Sequence, residues 1–242
     1  MALRLCSGQA LMILGGDLKI FAIAFFLGGL IPSLFWLWFW LKEDEDHPEP
    51  KVMLALMFAM GIATVVLVLP IQKFIDAHIL SYEGKLVLWA GTEEALKFLA
   101  VLAVIWGTKA ANEPIDWPIY LITAALGFAT LENTLFLIKP ISFSGTTVAL
   151  LTGGLRFLGS TLLHSVASGV IGIAMGISFF LSGVKRVLFA LAGVLVAIAL
   201  HSTFNFFIIK NGGSDFLKVF AFLWVATIIV LLLFEKVRRI SK

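Results

Sequence analysis

A small set of ionisable side chains sits where a chain this apolar should have none. Glu93 and Glu94 stand side by side in Gly91-Thr92-Glu93-Glu94-Ala95-Leu96-Lys97. Glu132 is followed by Asn133, Arg156 and His164 share a third apolar stretch, and His201 and Asn205 share a fourth. Carboxylates and imidazoles are the usual general bases and acids. Hydrolysing an amide needs a base to activate water, a donor for the oxyanion and an acid for the leaving amine. The same groups also ligate zinc. The inventory is therefore catalytic or ion-binding.

The elements that carry these groups read as membrane spans. Of 242 residues 60% are hydrophobic and 14% charged, with a mean hydropathy of +1.03. A soluble domain of this length would expose large apolar patches, whereas each spanning helix needs about 20 apolar residues. The expected fold is all-α: a polytopic membrane protein of about seven transmembrane helices in one bundle with an intramembrane polar pocket, one peptidase domain over 1–242. The spans are expected at 20–41, 52–71, 85–106, 119–138, 155–181, 187–209 and 216–234, with Pro70 and Pro140 as stops. Gly153-Gly154 and Arg156 are expected to divide a short entry piece from the fifth span, and Asn211-Gly212-Gly213 to form a turn. The net charge of +3 does not point to nucleic acid. Cys6 is the single cysteine, which excludes an intrachain disulfide and a cysteine metal cluster. No cleavable signal peptide is evident.

Charge at membrane depth costs a few kcal/mol, which makes these residues functional candidates by default. Singly, each has a bland reading. An intramembrane His or Asn is more often interhelical glue. Glu93 with Lys97 fits a structural ion pair, Arg156 fits a snorkelling or paired cation, and Ser168, Gly172 and Gly176 fit close helix packing. Cys6, His47 and His78 fall outside the cluster. Depth separates the readings. If the spans alternate in direction, Glu93 and Glu94 lie about eight residues, or roughly 12 Å, inside the third span. Glu132, His164, His201 and Asn205 then reach a similar depth from the same face.

These motifs resemble a family. Glu93-Glu94-x-x-Lys97, Phe128-x-x-x-Glu132-Asn133, Arg156 followed by His164, and His201-x-x-x-Asn205 are similar to the PrsW intramembrane proteases, relatives of the CAAX prenyl proteases and bacteriocin-processing enzymes. Pro32 and the loop Asp46-His47-Pro48-Glu49-Pro50-Lys51 also fit that family's amino-terminal region. The CAAX relatives typically carry His where this chain has Glu132, which makes CAAX-type specificity the alternative rather than the expectation. The resemblance implies a bacterial cytoplasmic-membrane protease and a membrane-anchored protein substrate, such as an anti-sigma factor.

In this reading Glu93 or Glu94 activates the water. Glu93 is preferred because Lys97, one turn on, is placed to pair with or orient its neighbour. Glu132 and His164 hold the water or a metal, and His201 and Asn205 donate to the oxyanion. Lys97, Asn133 and Arg156 support them. Glu132, His164 and His201 form the expected metal set, with zinc as the ion, although a metal-free glutamate mechanism uses the same residues. A proton- or cation-coupled transporter is the alternative of another class, but no inverted repeat or pair of broken helices is visible. The basic tail Lys236, Arg238, Arg239 and Lys242 places the carboxyl terminus in the cytoplasm, with the cluster in the outer half of the membrane.

Overall fold

The computed structural model describes residues 18–42, 48–210 and 216–241. Cys6, His47, the centre of the first charged loop, the Asn211-Gly212-Gly213 segment and Lys242 lie outside these. Seven helices and no strands occur among the described residues: α1 Leu18–Leu41, α2 Lys51–His78, α3 Tyr82–Ile105, α4 Asp116–Ser144, α5 Thr146–Ile177, α6 Val184–Lys210 and α7 Phe216–Ser241. All but α3 are long and apolar enough to cross a membrane by composition. The exception has 24 residues and packs among the others; Glu93, Glu94 and Lys97 lower its hydropathy. The chain is an integral membrane protein built as an all-α bundle.

The prolines and glycines behave differently from the expectation. α2 does not stop at Pro70 but runs on to His78. A proline inside a helix forfeits one ladder bond at about 3 kcal/mol, and burial of Val65, Val68, Gln72 and Ile75 on either side of it offsets that. At Pro140 the helix widens into π turns through Ser144, a geometry that omits the bond proline cannot make. The reversal comes at Gly145, where φ is +81°. Gly153-Gly154 and Arg156 do not break α5, although its geometry changes at Arg156. The helix runs through them, opens into π turns over Arg156–Ser160, and ends at Ile177 rather than Leu181.

α4 is the axis of the bundle. Every residue from Asp116 to Thr130 is buried, and α1, α2, α3 and α5 all pack on it. A helix apolar on every side fits only such a position. The crossing with α2 depends on two glycines. A Cβ at Gly61 would lie 1.9 Å from the Ala124 carbonyl oxygen, and one at Gly127 would lie 2.0 Å from that of Phe58. Backbone meets backbone there, which only small residues permit. The tight α2–α4 and α3–α2 seams bring Gln72, Glu93 and Glu132 to one level.

Candidate active site

The polar residues of α3, α4, α5 and α6 converge in a buried network. Glu94 is fully enclosed and accepts three hydrogen bonds. Lys97 Nζ donates to its Oε1 at 2.6 Å, His201 Nδ1 to the same oxygen at 2.8 Å, and Ser168 Oγ to Oε2 at 2.7 Å. Lys97, also fully enclosed, lies 3.1 Å from His164 Nδ1 and 4.7 Å from the Phe128 ring centroid. An ammonium has only protons to give, so His164 Nδ1 accepts. The His164 proton is then on Nε2, which lies 3.1 Å from Glu132 Oε2. A carboxylate only accepts, so His201 donates from Nδ1 to Glu94, and in the neutral ring Nε2 keeps its lone pair.

Arg156 closes the other side. Its Nη2 meets Glu132 Oε2 at 2.5 Å and Ser160 Oγ at 2.9 Å, while its Nε donates to Asn133 Oδ1 at 2.6 Å. Asn133 in turn donates to Thr161 Oγ1 at 2.8 Å. The π turns at Arg156–Ser160 bring Arg156, Ser160 and Thr161 to α4 together. The Glu132 and Arg156 side chains are each 17% exposed, against 0% for Glu94 and Lys97, so the network opens on the Glu132–Arg156 side.

Glu93 differs from its neighbour. Its Oε1 accepts from Gln72 Nε2 at 2.8 Å. Its Oε2 is buried with no hydrogen-bond partner, 3.7 Å from His201 Nε2. With His201 neutral, two lone-pair atoms face each other, a gap suited to a water or a cation.

A family model described as PrsW family intramembrane metalloprotease matches residues 49–233. The chain belongs to the PrsW family of intramembrane metalloproteases. It is 24% identical over 192 residues to Protease PrsW of Shouchella clausii (strain KSM-K16), covering 76% of this chain and 83% of that protein. It is 28% identical over 134 residues to Protease PrsW of Bacillus subtilis (strain 168), covering 54% of this chain and 58% of that one. No solved structure matches it. The chain is thus an intramembrane protease acting on a protein substrate, and the polar network above spans the helices that the family model covers.

Of the residues anticipated from sequence, Glu93, Glu94, Lys97, Glu132, Asn133, Arg156, His164 and His201 come together. Asn205 is half-buried one turn beyond His201, and no hydrogen bond ties it to the network among the described residues. Ser168, read as helix packing, instead binds Glu94. Gln72, Ser160 and Thr161 join the network as well; Gln72 lies just past the expected end of the second span at residue 71, and serine and threonine barely disturb hydropathy.

Among the described residues, the donor atoms fit a divalent ion at one place. Ligand atoms of Glu93, His164 and His201 all lie within 4.8 Å of one another. This trio has Glu93 where the expected set had Glu132, whose Oε2 is already taken by Arg156, Ser160 and His164. The orphaned Glu93 Oε2 and the His201 Nε2 lone pair suit such an ion, and two His with one Glu is a known zinc set. His164 joins only by giving up its Nε2 proton or its contact with Lys97.

Proposed function

We propose that this protease hydrolyses a peptide bond in a membrane-anchored protein and that Glu93 takes the proton from the attacking water. One observation carries the assignment: Glu93 Oε2 is the buried carboxylate oxygen without a partner, in a network where every Glu94 oxygen is engaged. Glu94, bonded to Lys97, His201 and Ser168, orients those groups. Lys97 holds His164 so that its Nε2 proton faces Glu132. Arg156, anchored by Asn133, holds Glu132 at the open side, where a peptide would enter. In the tautomer described, His201 offers Nε2 as an acceptor, so donating to an oxyanion from that atom requires a doubly protonated ring. Asn205 remains the neutral donor proposed for that role.

A zinc ion, when bound, would be held by Glu93, His164 and His201 and would polarise the carbonyl and acidify a water. The two versions separate in one experiment. Purified full-length protein is reconstituted with a membrane-tethered reporter, and zinc content is measured beside cleavage in wild type and Glu93→Gln. Loss of activity with zinc retained supports Glu93 as base. Loss of both supports Glu93 as ligand. Cleavage that survives chelation and leaves no bound metal favours the metal-free mechanism. No cleavage by wild type of any tethered substrate overturns the proposal.

The 1–242 chain acts here as one peptidase domain in the cytoplasmic membrane of a bacterium. Lys236, Arg238 and Arg239 follow the last apolar run of α7 and favour the cytoplasm, which directs the network to the outer half of the bilayer. An anti-sigma-factor-like protein with an external stalk suits that placement. A cytoplasmic prenylated tail does not.

A further inference from the structure

We propose that Gln72 is the positioning residue of Glu93, an inference that rests on the assignment of Glu93 above. Gln72 lies on α2, outside all four helices that carry the charged network. It is 8% exposed, and its side-chain Nε2 donates to Glu93 Oε1 at 2.8 Å. Its backbone oxygen accepts from Trp89 Nε1 at 3.5 Å, one turn before Glu93 on α3. Ile75, Leu86 and Trp89 pack together beside it. Gln72 is therefore held to α3 at two points, one in the backbone and one at the carboxylate itself.

The residue type matters as much as the contact. Glu93 and Glu94 are chemically identical neighbours, and their partners differentiate them. Glu94 meets an ammonium, which neutralises it, and His201 and Ser168 complete the hydrogen bonds to its oxygens. Glu93 meets a carboxamide, which donates a proton without bringing charge. The amide occupies Oε1 and leaves Oε2 directed at His201 Nε2. Without that bond the carboxylate is free to rotate about its last torsion, which is soft, or to swing toward His201. A misplacement of about 1 Å in a reacting group is enough for a loss of about a hundredfold.

The test uses full-length protein in proteoliposomes with the tethered reporter. Gln72→Met keeps the length and removes the donor. The expected result is a kcat lower by about 10- to 100-fold, with KM and thermal unfolding close to wild type. Glu93→Asp withdraws the carboxylate from the amide's reach, so adding Gln72→Met to it should cost nothing further. Equal fold losses in the two backgrounds, or a loss of stability that accounts for the loss of rate, overturn the proposal. Gln72→Lys keeps a donor but adds charge, and should be as impaired as the Met variant. A readout independent of cleavage is the infrared difference spectrum of wild type minus Glu93→Gln, which isolates the Glu93 carboxylate band. Gln72→Met should move that band, and an unmoved band refutes the contact. If wild type cleaves nothing while the band moves, the mechanism fails and the positioning contact stands.

Discussion

Replacing each paired glutamate by its amide should separate two roles that the sequence presents as one. Glu94→Gln removes the charge that faces Lys97, an ammonium with no exposure to solvent. With its carbonyl turned toward them the amide still accepts from Lys97 and His201, which lie 2.6 and 2.8 Å from Oε1, and its nitrogen can donate to Ser168 Oγ, so what is lost is the charge that makes those bonds strong. Bonds to a charged group contribute about 1.5–3 kcal/mol each, and breaking one side of a buried pair costs about 3–5 kcal/mol. Glu94→Gln should therefore destabilise the protein by about 3–5 kcal/mol. Glu93→Gln keeps the Gln72 bond at Oε1 and loses nothing at Oε2, which had no partner. Its stability should stay within about 1 kcal/mol of wild type, or rise, since an unpaired buried carboxylate is itself costly. Both variants should lose at least about a hundredfold in turnover. Unfolding by denaturing detergent titration reads the first quantity and cleavage of a tethered reporter the second. Equal stability losses, or near wild-type turnover in Glu93→Gln, would refute the division of labour.

Arg156→Lys should lower turnover by about 10- to 100-fold, because a single ammonium cannot serve Asn133 and Glu132 as the guanidinium fork does. Steady-state cleavage by protein of normal stability checks it. Gly61→Leu should prevent assembly of the bundle at a cost above about 3 kcal/mol, since its side chain would enter the Ala124 backbone; recovery of monodisperse, folded protein after extraction would contradict this. A topology reporter after Ser241 should read as cytoplasmic and one inserted at Gly145, the reversal between α4 and α5, as external. The opposite pattern would turn the network inward and favour CAAX-type substrates.

Hydropathy alone locates the spans, because a helix in lipid must satisfy its backbone internally and clothe itself in apolar side chains. Charged residues inside such spans are too costly to be incidental, so Glu93, Glu94, Lys97, Glu132, Arg156, His164 and His201 were legible as a cluster, and their order as a PrsW resemblance. Periodicity could not read how each proline or glycine would be absorbed. Whether Pro70 ends a helix or Gly153-Gly154 breaks one depends on burial in the surrounding bundle, a nonlocal quantity. The same limit governs the site. Glu93 and Glu94 are equivalent in the one-dimensional pattern, and only packing gives one an ammonium, an imidazole and a hydroxyl, and the other a single amide from α2. Gln72 is hidden because hydropathy and Pro70 end the span at residue 71, and Ser168 because a serine barely lowers hydropathy. Their importance comes from the carboxylate oxygen each one touches, and that is settled by how closely the helices cross at Gly61 and Gly127 and along α5.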